Sequence, residues 1–537
     1  MPTIAAVVAR GLLEVGVAKL FGVPGGGSNL ELIEAARRDG LDFVLAHQES
    51  AAAIMAAVTG ELTGRPGACL ATLGPGVASS ANGIAYASLD RAPLLAFTDR
   101  YPEPLLAFTS HQRVDPVALL GSLVKGSRVL RPGAVSATLE AAVRLALSEP
   151  RGPVHLDLAA DVATAEAEAR PLAWQPAPAS APAADAAEAV ARLLGEARRP
   201  ALLAALGLRD DADARALVAF AEALGAPVFT TYKAKGLIPE DHPLACGVVT
   251  GAPLEEALLA EADCLLAIGF DPVELIPRPW PYRVPVVRID RAPLPTAAYP
   301  VVAELVGEPA EILEGLRREL KGSAWDPAAL AGYRDEVRAR LTAPAEGLAP
   351  HRVVETLEAL APPEATVTVD AGAHMFPLAH LWRAHRPRRF LISNGLATMG
   401  FSLPAAIAAG LCRPGAPVLC FTGDGGLMLV VAELETVVRL GLPLVISVFN
   451  DQGLALIRTK QAQRGFSPYG VDYRGPDLGA LARSFGIEAF TVTTERELAE
   501  DFRAALALGA PALLDIRIDP SGYRRVLETI RGVPGPA

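Results

Sequence analysis

Short apolar runs alternate with longer helical patterns along almost the whole chain. Examples of the runs are VHLDL, CLLAIG and LVISVFN, and their length of about four to eight residues is typical of buried parallel strands. Between them, apolar residues recur at the spacing of helices that cover a sheet. Because strands that alternate with helices form βαβ units, the pattern predicts an α/β fold of doubly wound parallel sheets.

Two stretches of different composition divide the chain. Residues 162–186 are rich in Ala and Pro and lack the periodicity of a strand or a helix. Residues 320–350 contain a charged helical pattern with Pro and Gly on both sides. Both stretches are typical of linkers. We therefore predict three domains, at residues 1–165, 187–320 and 350–525, a number that suits a chain of 537 residues.

Composition and charge narrow the class of protein. Hydrophobic residues make up 51% of the chain and charged residues 20%, which excludes wholesale disorder. The net charge of −11 disfavours a nucleic-acid partner. Charged residues interrupt the apolar N-terminal segment, and no apolar run reaches the roughly 20 residues that cross a bilayer, so neither a signal peptide nor a membrane partner is expected. Five cysteines without a CxxC pair predict a reduced, cytoplasmic protein without a zinc site.

The strongest chemical signal lies in residues 417–453. One predicted strand there ends at Thr422, and the next strand ends at Asn450 and Asp451. The first strand leads into a turn of Gly423, Asp424, Gly425 and Gly426. Glycines let backbone N–H groups approach a phosphate, and two carboxylates at one sheet edge suit Mg²⁺. A turn of this kind alone is often only a capped turn, but the second strand end favours a site for magnesium and a diphosphate.

This spacing resembles the fingerprint of thiamine diphosphate enzymes. The chain also resembles acetolactate synthases and the related 2-oxo acid decarboxylases over nearly its full length. The resemblance implies that Asp424, Asp451 and the backbone carbonyl of Gly453 bind magnesium, with Leu454 and Ala455 among the cofactor contacts. Asp451 stands where the family usually has Asn, and it adds negative charge beside the diphosphate.

Glu49 is the candidate for cofactor activation. The segment from FVLAHQES to TGRPG is similar to the family pattern HE…TGKPG. The resemblance implies that Glu49 is the carboxylate that exchanges a proton with the aminopyrimidine of thiamine diphosphate. Without the resemblance, Glu49 is an acidic residue favoured by a helix N-terminus. The neighbouring His47 is expected to have a structural role.

The remaining cofactor contacts follow from the resemblance alone. Residues 394–406 read NGLATMGFSLPAA and resemble the family's GLGTMGYGLPAA, in which a bulky apolar residue bends the cofactor; Met399 fits that role. Residues 370–376 read DAGAHMF and resemble DVGQHQMW, with Ala373 in place of Gln. The resemblance thus implies cofactor contacts at Gly25, Gly74, Pro75, Asn82, Ala373, His374, Ala397 and Met399.

Weaker matches indicate the reactant pocket. Gln112 matches a glutamine near the thiazolium ring, and it is grouped with Glu49 and Met399 as catalytic. Ser28 resembles the pocket serine of benzoylformate decarboxylases, whereas Leu73 stands where those enzymes have a histidine. The other candidates for this pocket are Gly26, His111 and Lys460.

The middle of the chain favours the flavin-free, fermentative acetolactate synthases. Residues 267–280 resemble their pattern and lack the arginine of the biosynthetic enzymes. The resemblance implies a transferase that uses thiamine diphosphate and Mg²⁺ to decarboxylate a 2-oxo acid such as pyruvate and to join the remaining fragment to a second carbonyl. It also implies a homodimer or homotetramer with active sites at the subunit interface. FAD is not expected, although the sequence leaves it open. Two alternatives stay open: a non-oxidative decarboxylase or aldehyde lyase of the benzoylformate decarboxylase type, and a catalytically silent binding homologue.

Overall fold

The computed structural model describes residues 1–172, 174, 181–294, 297–318, 320–342 and 344–532. Within these ranges the strands form three parallel sheets of six strands each, flanked by helices. The prediction of doubly wound parallel sheets is therefore confirmed. Part of the predicted linker 162–186 lies outside the described residues, and the charged helical pattern in 320–350 is a helix at Pro327–Leu341.

The strands are short, as the apolar runs predict. The first sheet contains β1 (Lys19–Gly22), β2 (Asp42–Leu45), β3 (Gly67–Ala71), β4 (Leu94–Arg100), β5 (Ser127–Val129) and β6 (Pro153–Ala159). The second contains β7 (Pro200–Ala204), β8 (Val228–Thr230), β9 (Ala245–Val248), β10 (Cys264–Ile268), β11 (Val286–Asp290) and β12 (Val301–Val306). The third contains β13 (Thr366–Val369), β14 (Phe390–Ile392), β15 (Val418–Gly423), β16 (Leu444–Asn450), β17 (Glu488–Val492) and β18 (Ala512–Arg517).

The helices follow the strands in the alternation expected of βαβ units. Those before residue 181 are α1 (Ile4–Glu14), α2 (Ser28–Asp39), α3 (Glu49–Thr63), α4 (Pro75–Leu89), α5 (Pro116–Leu120), α6 (Val135–Leu147) and α7 (Ala160–Thr164). The middle of the chain has α8 (Ala184–Glu196), α9 (Asp211–Leu224), α10 (Pro253–Leu259), α11 (Pro309–Arg317) and α12 (Pro327–Leu341). The last part has α13 (Pro350–Leu360), α14 (Met375–Leu381), α15 (Ser402–Cys412), α16 (Asp424–Leu429), α17 (Glu433–Arg439), α18 (Ala455–Gln463), α19 (Leu478–Ser484), α20 (Glu495–Ala507) and α21 (Tyr523–Arg531). None of the helices in the described part has the length and apolar composition of a membrane span.

The strand order of each sheet indicates where ligands are expected to bind. The first sheet has the order β2-β1-β3-β4-β6-β5, and the third has the matching order β14-β13-β15-β16-β18-β17. The second sheet has the order β12-β11-β10-β7-β8-β9. In such sheets ligands bind beyond the carboxyl ends of the strands, where the order reverses. These points lie between β1 and β3, between β7 and β10, and between β13 and β15.

The central strands of the sheets are buried on both faces, which explains the continuous apolar runs. In β7, for example, Leu202 and Ala204 belong to one buried cluster, whereas Ala201 and Leu203 belong to a second cluster. Successive side chains of a strand point to opposite faces. A strand covered on both faces therefore needs apolar residues at every position rather than at alternate ones.

The chain forms two compact units. The first comprises residues 1–177, 395–415 and 428–444, and it contains the first sheet with α15 and α17. The second comprises the rest of the chain and contains the second and third sheets. Two segments of the predicted third domain thus belong to the unit of the first sheet. The predicted domain boundaries stay predictions.

Candidate active site

Two carboxylates meet at the carboxyl edge of the third sheet. Asp424 follows β15 and Asp451 follows β16, and these strands are neighbours. Asp424 Oδ2 and Asp451 Oδ1 are buried, and neither oxygen has a hydrogen-bond partner among the described residues. Burial and the nearby charge of Asp424 raise the pKa of Asp451 to about 7, and burial raises the pKa of Asp424. Two such oxygens fit a divalent cation, which would offset their repulsion.

Besides the two carboxylates, other oxygen ligands would have to complete the coordination of a metal ion here. In the described part of the chain, no three His, Cys, Asp or Glu side chains are grouped so that they could hold a metal ion. Magnesium commonly keeps water and phosphate oxygens as ligands, so two carboxylates suffice from the side chains. Gly453 is buried in the turn after β16, and a Cβ there would lie 2.3 Å from Arg458 Nη2. The role of its carbonyl as a ligand stays a prediction.

The start of α16, directly after β15, packs against the loop that follows β13; the predicted turn at residues 423–426 is the end of β15 and the first turn of this helix. His374 in that loop is buried and stacks on Phe449, with ring centroids 5.4 Å apart. Burial lowers the pKa of His374 to about 4, so the ring is neutral at pH 7, and its Nε2 has no partner among the described residues. A Cβ on Gly426 would lie 2.3 Å from Asp370 Oδ2, so this turn requires glycine. The predicted cofactor contacts around this cradle are Ala373, His374, Gly423, Gly425, Gly426, Leu454 and Ala455.

Glu49 lies in the first unit, at the start of α3. Every residue of this helix from Ser50 to Val58 is buried, so the helix runs through the core and fixes the position of its first residue. A Cβ on Gly76 would lie 3.3 Å from Glu49 Oε1, which places the carboxylate against the turn after β3. At Gly74 in the same turn, a Cβ would lie 2.5 Å from the backbone oxygen of Gln112. The segment 74–76, where α4 begins, thus contacts Glu49 and Gln112, two of the three predicted catalytic residues of this unit.

The segment that carries Met399 also belongs to the first unit. Asn82 Nδ2 donates a hydrogen bond to Thr398 Oγ1 at 3.1 Å, which ties this segment to α4. Ala397 has a φ of 53°, in the left-handed region, so the chain turns sharply just before Met399. Met399 is half-buried and Ala397 is exposed. Their contacts with the cofactor stay predictions.

The sequence did not indicate Glu433, which supports the backbone that leads into Glu49. Its buried carboxylate accepts hydrogen bonds from the backbone N–H groups of His47 at 2.9 Å and Gln48 at 3.2 Å. Thr436 Oγ1 donates to its second oxygen at 2.7 Å. No side chain caps α3 locally, so Glu433 satisfies N–H groups next to the helix start. Glu433 lies 386 residues beyond His47 along the chain, so no local pattern points to this contact.

We expect Glu433→Ala to lower the free energy of unfolding by about 2–4 kcal/mol, because it leaves two N–H groups without their acceptor. Glu433→Gln should have at most about half that effect, since an amide oxygen still accepts. Urea denaturation measures both. Glu435→Ala on the same helix is the control, because Glu435 is more exposed and pairs with His47 at 2.7 Å near the surface; it should change stability by about 1 kcal/mol or less. Equal effects of Glu433→Ala and Glu435→Ala would contradict this role.

Leu73 and Gln112 line a cavity of about 250 Å³ in the first unit. Asp99, Arg100 and Asp157 line it as well. These residues lie in β4 and β6, which are adjacent parallel strands. The sequence indicated neither carboxylate as a site residue: Asp157 lies within the apolar run VHLDL, and Asp99 directly follows the run LLAFT, where no known motif marked it.

The other pocket candidates lie in different surroundings. The hydroxyl of Ser28 donates to Asp99 Oδ1 at 2.8 Å, so it supports that carboxylate. A Cβ on Gly25 would lie 2.2 Å from Thr72 Oγ1, whereas a Cβ on Gly26 would meet open space. His111 is exposed and is not among the cavity-lining residues. Lys460 is exposed on α18, in the second unit.

Comparison with known proteins agrees with this geometry. Three family models match the chain, all described as thiamine pyrophosphate enzyme: an N-terminal TPP binding domain at residues 2–119, a central domain at 187–316 and a C-terminal TPP binding domain at 370–516. The chain therefore belongs to the thiamine pyrophosphate (thiamine diphosphate) enzymes. The resemblance seen in the sequence is confirmed.

The similar proteins carry the names of more than one reaction. The chain is 30% identical to a probable acetolactate synthase large subunit of Methanocaldococcus jannaschii, over 96% of this chain and 92% of the relative. It is 32% identical to a probable 2-ketoarginine decarboxylase of Pseudomonas aeruginosa, over 95% and 93%. It is 28% identical to an acetolactate synthase of Bacillus subtilis, over 96% and 93%. The family is thus clear, and the reaction is a separate question.

Proposed function

We propose that the protein uses thiamine diphosphate and Mg²⁺ to decarboxylate a 2-oxo acid such as pyruvate and to transfer the remaining fragment to a second carbonyl compound. The observation that carries this proposal is the pair of buried carboxylates, Asp424 and Asp451, at adjacent strand ends of a thiamine pyrophosphate enzyme. The acetolactate synthases among the similar proteins support it.

Each candidate residue of this chain would have a separate role. Asp424 and Asp451 would hold the metal that binds the diphosphate, and the neutral His374 would lie beside it. Glu49 would hold and return a proton at its carboxylate, next to the turn that also contacts Gln112. When bound, thiamine diphosphate supplies the electron sink for the loss of carbon dioxide. The buried helix behind Glu49 would fix this carboxylate in place.

Transfer to a carbonyl is favoured because histidine is absent from the residues described around the Gln112 cavity. A simple decarboxylase needs a group that returns a proton to the reacting carbon. His47 pairs with Glu435 near the surface, and His111 is exposed. A pocket without a histidine donor gives a second carbonyl compound time to react.

Simple decarboxylation is the second candidate function, and a different observation favours it. Asp157 lines the same cavity, and burial raises its pKa to about 6. A carboxyl with such a pKa is partly protonated near neutral pH and can return a proton. The similarity to a probable 2-ketoarginine decarboxylase supports this reading as well. A silent binding homologue is disfavoured, since Glu49, Asp424 and Met399 are all retained.

We propose that the enzyme works without FAD. At the switch point of the second sheet, Gly207 donates its N–H to the carbonyl of Gly269 at 3.0 Å. A Cβ on Gly207 would lie 2.6 Å from the Cα of Gly269. The buried Glu274 carboxylate accepts the N–H of Leu206 at 3.0 Å beside them. A crevice closed by its own backbone supports a flavin-free enzyme.

We also propose a homodimer as the smallest active form. Several large apolar side chains are exposed on the segment around Gln112, and Phe108 is 77% exposed. The others are Leu105, Val114, Val117 and Leu119. An apolar surface of this kind is typical of a subunit interface. The resemblance to dimeric and tetrameric enzymes agrees with it.

Product analysis tests the proposed reaction. With pyruvate as the only substrate, together with thiamine diphosphate and Mg²⁺, we expect more acetolactate than acetaldehyde, measured by mass spectrometry. His111→Ala should leave the product ratio unchanged, and His242→Ala, far along the chain in the second unit, serves as its control. If acetaldehyde dominates and His111→Ala shifts the products toward acetolactate, the transfer reaction is wrong and the decarboxylase takes its place.

A further inference from the structure

The cavity beside Gln112 contains two buried carboxylates from adjacent strands. Asp99 lies near the end of β4 and Asp157 near the end of β6; Thr98 pairs in register with Asp157, so the side chains of Asp99 and Asp157 lie on opposite faces of the sheet at its carboxyl edge. The residues are only 2% and 3% exposed, respectively, yet both line the cavity. Buried carboxylates are rare unless a cation or several donors accompany them.

Each of these carboxylates keeps one oxygen without a partner. Asp99 Oδ1 accepts hydrogen bonds from the N–H of Ser28 at 3.1 Å and from its hydroxyl at 2.8 Å. Asp157 Oδ2 accepts from Arg100 Nη1 at 3.3 Å. Asp99 Oδ2 and Asp157 Oδ1 are buried and have no partner in the described part of the chain. An unpartnered buried oxygen of this kind favours a ligand that brings a hydrogen-bond donor to it.

The cationic side chains that line this cavity do not offset all of its carboxylate charge. Arg100 also pairs with Glu103, and the guanidinium of Arg113 donates to the carbonyl of Leu106 at 2.8 Å. Asp115, a third carboxylate of the cavity, caps α5. Three carboxylates thus face two guanidinium groups. No described cationic side chain pairs with Asp99.

We propose that Asp99 and Asp157 form a specificity pocket for a positively charged group at the far end of the 2-oxo acid side chain. This inference rests on the proposed function, because it assumes that Gln112 marks the reactant site. A guanidinium group offers five N–H donors on different edges, so it can donate to both carboxylates that line the cavity. An anionic side chain would be repelled by the same oxygens. The basic 2-oxo acids are therefore the substrate class that this cavity selects.

The first test uses the wild-type holoenzyme and four 2-oxo acids of similar length. One has a neutral alkyl end, one a guanidinium end, one a carboxylate end, and one a trimethylammonium end, which cannot cyclise onto the keto group. Release of carbon dioxide gives kcat/KM for each. We expect the guanidinium substrate to exceed the neutral one by about tenfold or more, as hydrogen bonds to charged groups allow. Preference for trimethylammonium as well would indicate charge alone, and either cationic preference supports the pocket.

The second test removes the charges one at a time. Asp99→Asn and Asp157→Asn should each lower the ratio of kcat/KM for the guanidinium and neutral substrates by about tenfold. Asp161→Asn, which changes an exposed carboxylate on α7, is the matched control and should keep the ratio. If the variants do not fold, competition on the wild type replaces them: butylguanidinium should inhibit turnover of the neutral substrate, and the uncharged butylurea should inhibit it at least about tenfold less.

The outcomes separate the two proposals. If no 2-oxo acid releases carbon dioxide, the proposed function is wrong. If neutral 2-oxo acids react and the cationic ones are no better, only the specificity pocket is wrong. An unchanged substrate ratio in both Asp99→Asn and Asp157→Asn, or equal inhibition by butylguanidinium and butylurea, would also overturn it.

Discussion

Glu49→Gln is expected to lower turnover by about 10²–10⁴-fold while thiamine diphosphate still binds. The amide keeps the size of the side chain and its place at the start of α3, but it cannot exchange the proton. Steady-state kinetics with a 2-oxo acid measures the first effect, and calorimetry with thiamine diphosphate and Mg²⁺ measures the second.

The control for this experiment lies in the neighbouring helix. Glu31 is an exposed carboxylate in the first turn of α2, so Glu31→Gln makes the same chemical change at a similar helix position. It should leave turnover close to wild type. A Glu49→Gln variant that turns over as fast as Glu31→Gln would remove Glu49 from the proposed chemistry.

Asp424→Ala is expected to weaken thiamine diphosphate binding in the presence of Mg²⁺ by at least about 100-fold, because the metal loses one of two carboxylates. The protein without cofactor should be as stable as wild type or more stable, since a buried carboxylate with a raised pKa is removed from beside Asp451. Calorimetry measures binding, and thermal unfolding of the apoprotein measures stability.

Lower cofactor affinity together with unchanged or higher stability distinguishes lost metal binding from misfolding. A misfolded variant would lose both affinity and stability. Asp335→Ala, an exposed position on α12 of the same unit, is the control and should change neither. Unchanged cofactor affinity in Asp424→Ala would exclude the proposed metal site.

Much of the fold was predictable because its central strands are buried on both faces. The run VHLDL lies within β6, and LVISVFN is β16 from end to end. Such runs need no partner to be recognised. The strand order and the inclusion of residues 395–415 and 428–444 in the first unit depend on contacts between distant segments. The pattern of apolar and polar residues within one segment does not reveal those contacts.

The candidate site also combines residues that the local sequence predicts with residues that depend on distant contacts. Asp424 and Asp451 were predictable as neighbours, because each follows a strand and one crossover joins the two strands. Glu433 supports the start of α3 from 386 residues further along the chain than His47. Asp99 and Asp157 lie inside strands, where a carboxylate usually signals nothing. Residues that act through distant contacts therefore appeared only in the structure.

The matching strand orders of the first and third sheets bear on how such enzymes diverge. Each sheet has a glycine-rich turn into a helix beside its switch point: residues 72–76 read TLGPG between β3 and the start of α4, and residues 422–426 read TGDGG across the end of β15 and the start of α16. In our proposal only the second turn anchors the cofactor through a metal, and the first turn faces the reactants. Substitutions around the first turn can then alter substrate range while the anchor stays intact. Such a separation fits the similarity of this chain to proteins named for different reactions, at 30% identity to a probable acetolactate synthase and 32% to a probable 2-ketoarginine decarboxylase.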